Sequence, residues 1–396
     1  MVFVEYYFGI LKKKKYMQLM IFFLIIFLYS FGWGLLTPIF SIRIQQITKD
    51  VLLTGFIFSI FGLVRVIFDL PVGLICDRYS LKKIIIFSLT IYVPLIIFYA
   101  LVNEFRQLVI IRVVHAIVAV LFWNSVWTYL RRTIQKRYET EGISIFSFFS
   151  DLASTTAPII GGFIALFYWQ LPFYLLSLIC LMLLVVVHFK LPDLKITTKH
   201  SIITLIKEDI SQIKNLFHFF LPFSLIIILF FSIWSFFNNF LPIFLNEMGL
   251  SYEYIGILIA LTTLPIIFSE IKIGEFIDLR GKKYAIVIVC VLYSVSFLLF
   301  PLFKNIFIIF LLLGIISLSN IIFYLSTNSI IVDISKNEQR GIFTGLFSML
   351  QDIGIFAGPL IGGFLLQRVS YTKTFLFCAV LSFIILVLTI NLKFKK

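Results

Sequence analysis

The apolar positions of this chain form long unbroken runs of Phe, Ile, Leu and Val, cut by short polar turns. A helix needs ~20 mostly apolar residues to cross a ~30 Å hydrocarbon layer. Twelve runs meet that length and are predicted as transmembrane helices: 17–41, 51–76, 83–102, 107–130, 142–167, 171–190, 219–245, 251–273, 284–303, 305–332, 341–367 and 371–392. Barrel strands would instead alternate over ~10 residues. Residues 191–217 break the pattern. They carry Pro192 and several lysines, with apolar residues at 202, 203, 206, 210, 213 and 217 on a helical stripe. That stripe predicts an amphipathic connector lying on a membrane surface. The chain therefore reads as an all-α integral membrane protein, with a six-helix bundle over 1–190, a linker over 191–217 and a second six-helix bundle over 218–396.

The two bundles are copies. At a separation of 201 residues, Gly55 meets Gly256, Asp69 meets Glu270, Gly73 meets Gly274 and Asp77 meets Asp278. Phe146-Ser147 meets Phe347-Ser348, Asp151 meets Asp352, and PIIGGF at 158–163 meets PLIGGF at 359–364. Gly, Pro and acidic coincidences inside apolar spans are hard to obtain by chance. Six spans per copy place both copies in the same orientation, and parallel repeats of this kind hold a ligand near mid-membrane at the repeat interface.

Composition narrows the class. A hydrophobic content of 61% with 13% charged residues excludes an ordinary soluble domain. The net charge of +14 would suggest a nucleic-acid partner if it formed a patch. Instead the Lys and Arg residues sit in the turns, and those on one side outnumber those on the other by about four to one. Topology thus explains the charge: both termini are expected in the cytoplasm of a multi-pass plasma-membrane protein, with no nucleic-acid partner. The apolar start MVFVEYYFGIL precedes Lys12–Lys15, the reverse of a secretory signal, and either Met1 or Met17 can begin the chain. Residues 191–217 carry the longest polar stretch and are expected to meet anionic lipid.

Candidate chemistry is sparse. The four cysteines show no CxxC spacing and the four histidines lie far apart, so no metal site is expected. Gly281-Lys282-Lys283 lacks the spacing of a phosphate loop. No cofactor, no ATP and no enzymatic nucleophile–base set are expected. What remains are charges inside spans. Arg112 lies within the fourth span, where an ionised side chain costs ~2.5–3.5 kcal/mol, so it is expected to face the bundle interior with a partner. Asp69, Asp151, Glu270 and Asp352 are the intramembrane acids. Carboxylates enclosed by apolar groups can carry protons near neutral pH. Arg65 stands one turn before Asp69, a spacing that suits an ion pair; the roles of Arg65, Asp69 and Glu270 stay open between structural tie and relay. Asp151 and Asp352 each precede a proline by seven residues and are the better candidates for a proton or a substrate cation. Pro158 and Pro359 are expected to bend their helices. Small residues at 153, 157 and 161, and at 354, 358 and 362, form a close-packing face on each.

GLICDRYSLKK at 73–83 recurs as GEFIDLRGKK at 274–283, after the second span of each copy. Gly73 is expected to let backbones pack closely, and Asp77 to favour a neighbouring helix start. Arg78, Lys82 and Lys83 are expected to meet lipid phosphate. This loop resembles the signature Gly-x-x-x-Asp-Arg-x-Gly-x-Arg/Lys-Arg/Lys of the major facilitator superfamily. Ser80 replaces the second Gly of the first copy; the second copy keeps Gly281 but has Leu279 in the Arg position, with Arg280 next to it. The resemblance implies an inner gate built from Gly73, Asp77, Arg78, Lys82, Lys83, Gly274, Asp278, Arg280 and Gly281.

IIRVVHAIVAV at 110–120 is similar to that family's second motif, with Arg112 as the Arg, His115 in the polar position and Ala116 for Gly. The resemblance implies proton coupling there. Pro158, Gly161 and Gly162, and the fuller Gly358, Pro359, Gly362 and Gly363, look like the motif of family members that act as antiporters, often drug exporters. Phe31, Trp33, Trp123, Trp234 and Phe237 fall on spans that line the cavity in this family. The implied protein is a monomeric, proton-coupled exporter of an apolar or drug-like small molecule. An importer of a sugar, organic acid or peptide stays open, because the first span carries no acidic residue. A membrane enzyme would need a polar catalytic cluster that the sequence does not offer.

Overall fold

The computed structural model describes residues 20–134, 139–194, 217–303, 305–334 and 340–392. Most of the predicted amphipathic connector and the first residues of the chain lie outside them. The described residues form twelve α-helices. These are α1 (Met20–Thr48), α2 (Val51–Arg78), α3 (Leu81–Leu101), α4 (Phe105–Thr133), α5 (Glu139–Phe167) and α6 (Leu171–Lys190). The second set is α7 (Phe217–Glu247), α8 (Tyr252–Arg280), α9 (Lys282–Leu299), α10 (Ile306–Ile334), α11 (Arg340–Arg368) and α12 (Tyr371–Asn391). Eleven are long and apolar enough to cross a membrane; the apolar stretch described in α8, Tyr252–Leu264, is shorter. Each predicted span matches one helix. In the bilayer every backbone N–H and C=O must be satisfied within its own segment, which is why apolar runs of this length become helices.

Tight polar caps separate the helices. Asp50 Oδ1 accepts from Leu53 N at 2.8 Å and starts α2. Ser80 Oγ accepts from Lys83 N at 3.3 Å and caps α3. The corresponding position before α9 is Gly281, whose φ of 90° suits a residue without Cβ. All four cysteines are buried.

The helices gather into two compact units. The first takes the chain up to Phe40, from Ile67 through α6, and Leu250–Thr263. The second takes Ser41–Val66, α7 through Gly249, and everything from Leu264 onward. The first half of α2 thus packs in the second unit, and the first half of α8 in the first. Inside the first unit α3 packs on α4 and α6; inside the second, α9 packs on α10 and α12, and α7 on α11.

Each unit has an aromatic centre at repeat-equivalent positions. In the first, Tyr29 stacks on Phe122 with centroids 4.0 Å apart and meets Tyr92 at 5.7 Å. In the second, Phe230 stacks on Phe323 at 3.5 Å and meets Tyr293 at 5.0 Å. Every member lies 201 residues from its counterpart. Aromatic pairs of this kind add about 0.5–1.5 kcal/mol each beyond the area they bury.

Candidate functional site

Arg112 sits on α4, 6% exposed. Its guanidinium lies 5.3 Å from the ring centre of Phe40. Its Nη1 is 3.4 Å from His115 Nδ1, one turn along α4, and the Tyr99 hydroxyl on α3 is 3.1 Å from the same nitrogen. A guanidinium can only donate, so in the Arg112 contact Nδ1 is the acceptor. Trp33 of α1 stacks on His115 at 4.6 Å with rings 5° apart. The first unit therefore buries this cation among aromatic faces and an imidazole, the environment that offsets the cost of burial.

Among the described residues, the buried carboxylate of the second unit is Asp352 on α11, 1% exposed. Arg65 Nε of α2 lies 2.8 Å from its Oδ1. The one-turn spacing suggests Asp69 as the partner of Arg65, and the structure differs. Asp69 Oδ1 faces α4 and meets Asn124 Nδ2 at 3.4 Å. The reason is that α2 changes neighbours between Val66 and Ile67, so two residues one turn apart serve different units. Asp151 is half-buried on α5 in the first unit, beside Ser150, which hydrogen-bonds Ser30 at 3.2 Å. The side chain of Glu270 lies outside the described residues.

The proline–glycine segments form close seams. In the second unit a Cβ on Gly55 would collide with the carbonyl oxygen of Pro359 and lie 3.1 Å from Gly363 Cα. One on Gly62 would lie 2.5 Å from Phe356 N. Gln367 Nε2 donates to Asp50 Oδ2 at 2.8 Å farther along the same pair of helices. In the first unit the glycine–proline contact recurs: a Cβ on Gly256 would collide with the carbonyl oxygen of Pro158 and lie 3.4 Å from Gly162 Cα, while at the positions of Phe356 and Gly62 stand Thr155 and Thr263, with Thr155 Oγ1 donating to Thr263 Oγ1 at 2.9 Å. Gly161 meets the backbone of Leu35, Gly358 that of Ser232, and Gly362 the ring of Phe236. Pro158 and Pro359 both lie inside continuous helices.

The two copies of the loop after the second helix of each half are wired differently. In the first, Asp77 Oδ1 accepts from Arg132 Nη2 of α4 at 2.8 Å, while Arg78 and Lys83 are exposed. In the second, Lys282 pairs with Asp333 of α10, and Lys283 Nζ donates to the carbonyls of Ile390 and Leu392 at 2.7 and 2.9 Å. Asp278 and Arg280 are exposed. The close packing expected at Gly73 is not there: a Cβ on Gly73 or Gly274 would meet nothing within 4 Å. These glycines stand where the helix surface is open.

The hydropathy pattern does not mark the aromatic centre. Trp33 and Trp234, and Tyr92 and Tyr293, recur at the same separation as the glycines and are rare enough residues to carry that signal. The Arg65–Asp352 pair had no such signal, since its partners stand far apart in the chain and only one of them has an ionisable repeat counterpart.

Comparisons with known proteins converge. An uncharacterized MFS-type transporter of Methanocaldococcus jannaschii is 26% identical over 364 residues, 89% of this chain and 92% of that one. A quinolone resistance protein of Staphylococcus aureus, NorA, is 30% identical over 152 residues, 38% of this chain and 39% of the relative. Among solved structures, the nucleoside transporter NupG superposes with a TM-score of 0.81 at 16% identity, covering 96% of this chain and all of that one. A bacterial homologue of the human lysosomal transporter Spinster, solved inward-facing and unoccupied, gives 0.76 at 14% identity over 97% and 99%. At such identities the structures speak for the fold. The family model described as Major Facilitator Superfamily matches residues 22–328 and again 223–395, so nearly the whole described chain belongs to the major facilitator superfamily and is a multi-pass membrane transporter.

Proposed function

We propose that this transporter exports an apolar, drug-like solute from the cytoplasm across the plasma membrane in exchange for protons, acting as a monomer with both termini inside. The ion pair of Arg65 and Asp352 carries the reading. Asp352 is buried, and Arg65 Nε stands 2.8 Å from it. Protonating the carboxylate removes its charge and with it the attraction to Arg65, so one proton decides whether α2 and α11 are tied through these side chains. Of the elements packed against α11, α7 offers no charged side chain between His218 and Glu247, α12 offers only Lys373 near its start, and α10 offers only Asp333 near its end, where it pairs with Lys282. Arg112 and His115 supply a second polar cluster, in the other unit, and Asp151 is the remaining acid of the proposed pathway. The tie of Asp77 to Arg132 serves as the inner-gate contact of the first copy. The similarity to a quinolone resistance protein over part of the chain supports export.

The test is flux in proteoliposomes loaded with a fluorescent quinolone. A pH gradient should accelerate transport of the unmodified chain, and Asp352→Asn should remove that acceleration. Arg112→Ala and Asp151→Asn should lower flux sharply. Flux indifferent to the gradient and to all three changes overturns the coupling. A second reading, import of a polar solute such as a sugar, organic acid or peptide, is supported by α1, which carries no acidic residue. Growth of a deletion strain on candidate solutes, set against its drug susceptibility, separates import from export.

A further inference from the structure

Where the C-terminal end of α2, the start of α3 and the middle of α4 meet, the first unit contains a groove of about 540 Å³. Ile75, Phe87 and Leu121 give it apolar walls, and Arg78, Tyr79 and Lys83 bring polar groups to it. Ile75, Tyr79 and Phe87 are exposed large side chains. The carboxylates nearby are engaged: Asp77 by Arg132 at 2.8 Å, and Asp193 by the Ser80 hydroxyl at 2.6 Å. Among the described residues neither Arg78 nor Lys83 pairs with a carboxylate. The groove thus joins two available cations to an apolar wall at the end of a membrane-crossing helix.

We infer that this groove holds one anionic phospholipid, its phosphate against Arg78 and Lys83 and its acyl chains along Ile75, Phe87 and Leu121. A guanidinium matches phosphate oxygens in a bidentate manner, and the ammonium adds a second point charge. The volume falls within the range of small-molecule sites. A soluble anion would leave the apolar wall unused, and a zwitterionic lipid would bring no net charge to the two cations. Ser80 ties the site to the rest of the unit: its hydroxyl accepts from Lys83 N and donates to Asp193, at the start of the inter-bundle connector. Lipid at this groove therefore steadies the α2–α3 turn together with the segment around Asp193. The inference does not depend on the direction of transport or on proton coupling.

Native mass spectrometry of the full, delipidated chain tests it, with phosphatidylglycerol and phosphatidylcholine offered at equal concentration and inorganic phosphate as a third probe. One phosphatidylglycerol should be retained in preference to phosphatidylcholine. The double substitution Arg78→Gln with Lys83→Gln should weaken that retention about thirtyfold, the product expected for two surface cations. Arg78→Lys with Lys83→Arg should keep most of it and guards against a folding defect, as does the single Lys83→Gln. Equal retention of both lipids, retention unchanged by the double substitution, or capture of inorganic phosphate alone would each overturn the assignment.

Discussion

Tyr29, Tyr92 and Phe122 in one unit and Phe230, Tyr293 and Phe323 in the other occupy the same repeat positions and meet in the same order. The polar groups around this shared frame are distributed unevenly. Tyr99, Arg112 and His115 of the first unit correspond to Phe300, Leu313 and Ile316 of the second, all three buried. The acids Asp151 and Asp352 are equivalent, but Asp352 has Arg65 beside it, and the counterpart of Arg65 is Ile266. Duplication supplied a common packing scheme, and chemistry then settled in different places: a buried cation with an imidazole in one unit, a buried ion pair in the other. The seams repeat the lesson. Both use glycine against a proline carbonyl, yet one adds Arg65–Asp352 where the other adds Thr155–Thr263.

The sharpest way to break this comparison is Arg112→Leu, which gives the first unit the residue its counterpart already has. The chain should still fold, because Leu313 is buried without difficulty in the same frame. Transport in proteoliposomes should nevertheless fall at least tenfold, measured beside a melting curve to separate the two effects. Next come the glycines. Gly55→Val and Gly256→Val should each cost about 3 kcal/mol, since a side chain would press on backbone that has no room to yield. Similar losses in thermal unfolding in detergent would uphold the symmetry of the seams; a loss at one site only would disprove it.

Arg65→Ala leaves the buried Asp352 without its cation. Single removals from buried pairs cost about 3–5 kcal/mol, and the partial exposure of Arg65 lowers the expectation to about 2–3 kcal/mol. The pair Arg65→Leu with Asp352→Leu should be milder than the single change, and a double-mutant cycle reads the difference. Thr155→Val removes one hydrogen bond in the other seam and should cost about 1 kcal/mol. The smallest effect belongs to the α2–α3 and α8–α9 loops. Asp77→Asn should cost about 0.5 kcal/mol through its tie to Arg132, while Asp278→Asn, exposed, should be indistinguishable from the unmodified chain in the same unfolding assay.

Much of the architecture is legible in the order of residues. Lipid imposes a minimum length on an apolar helix, so all twelve helices can be located from hydropathy alone, and the glycine and proline coincidences declare the repeat. Arg112 is legible too, since a cation inside an apolar span must find partners. The partner of Arg65 is not. Spacing along one helix names Asp69, but which face of α2 meets which neighbour is set by three-dimensional packing, and α2 changes company within a single turn. Gly73 misleads for a related reason. A glycine in a membrane helix reads as a packing contact, whereas the structure leaves its Cβ direction open. The wiring of the α8–α9 loop is hidden because its acid, Asp333, comes from α10 and replaces, with opposite charge, the Arg132 of α4.

The burial of all four native thiols has a practical consequence. Maleimide reagents offered from water have no exposed native cysteine to react with in the folded chain, so single reporter cysteines can be introduced into the unmodified background. A cysteine placed at Asp193 and another at Asn103 would then report, by their reaction with an impermeant reagent in intact cells, which end of the helices faces the outside. Paired spin labels could follow the distance between α2 and α11 without first stripping the chain of its own sulfur.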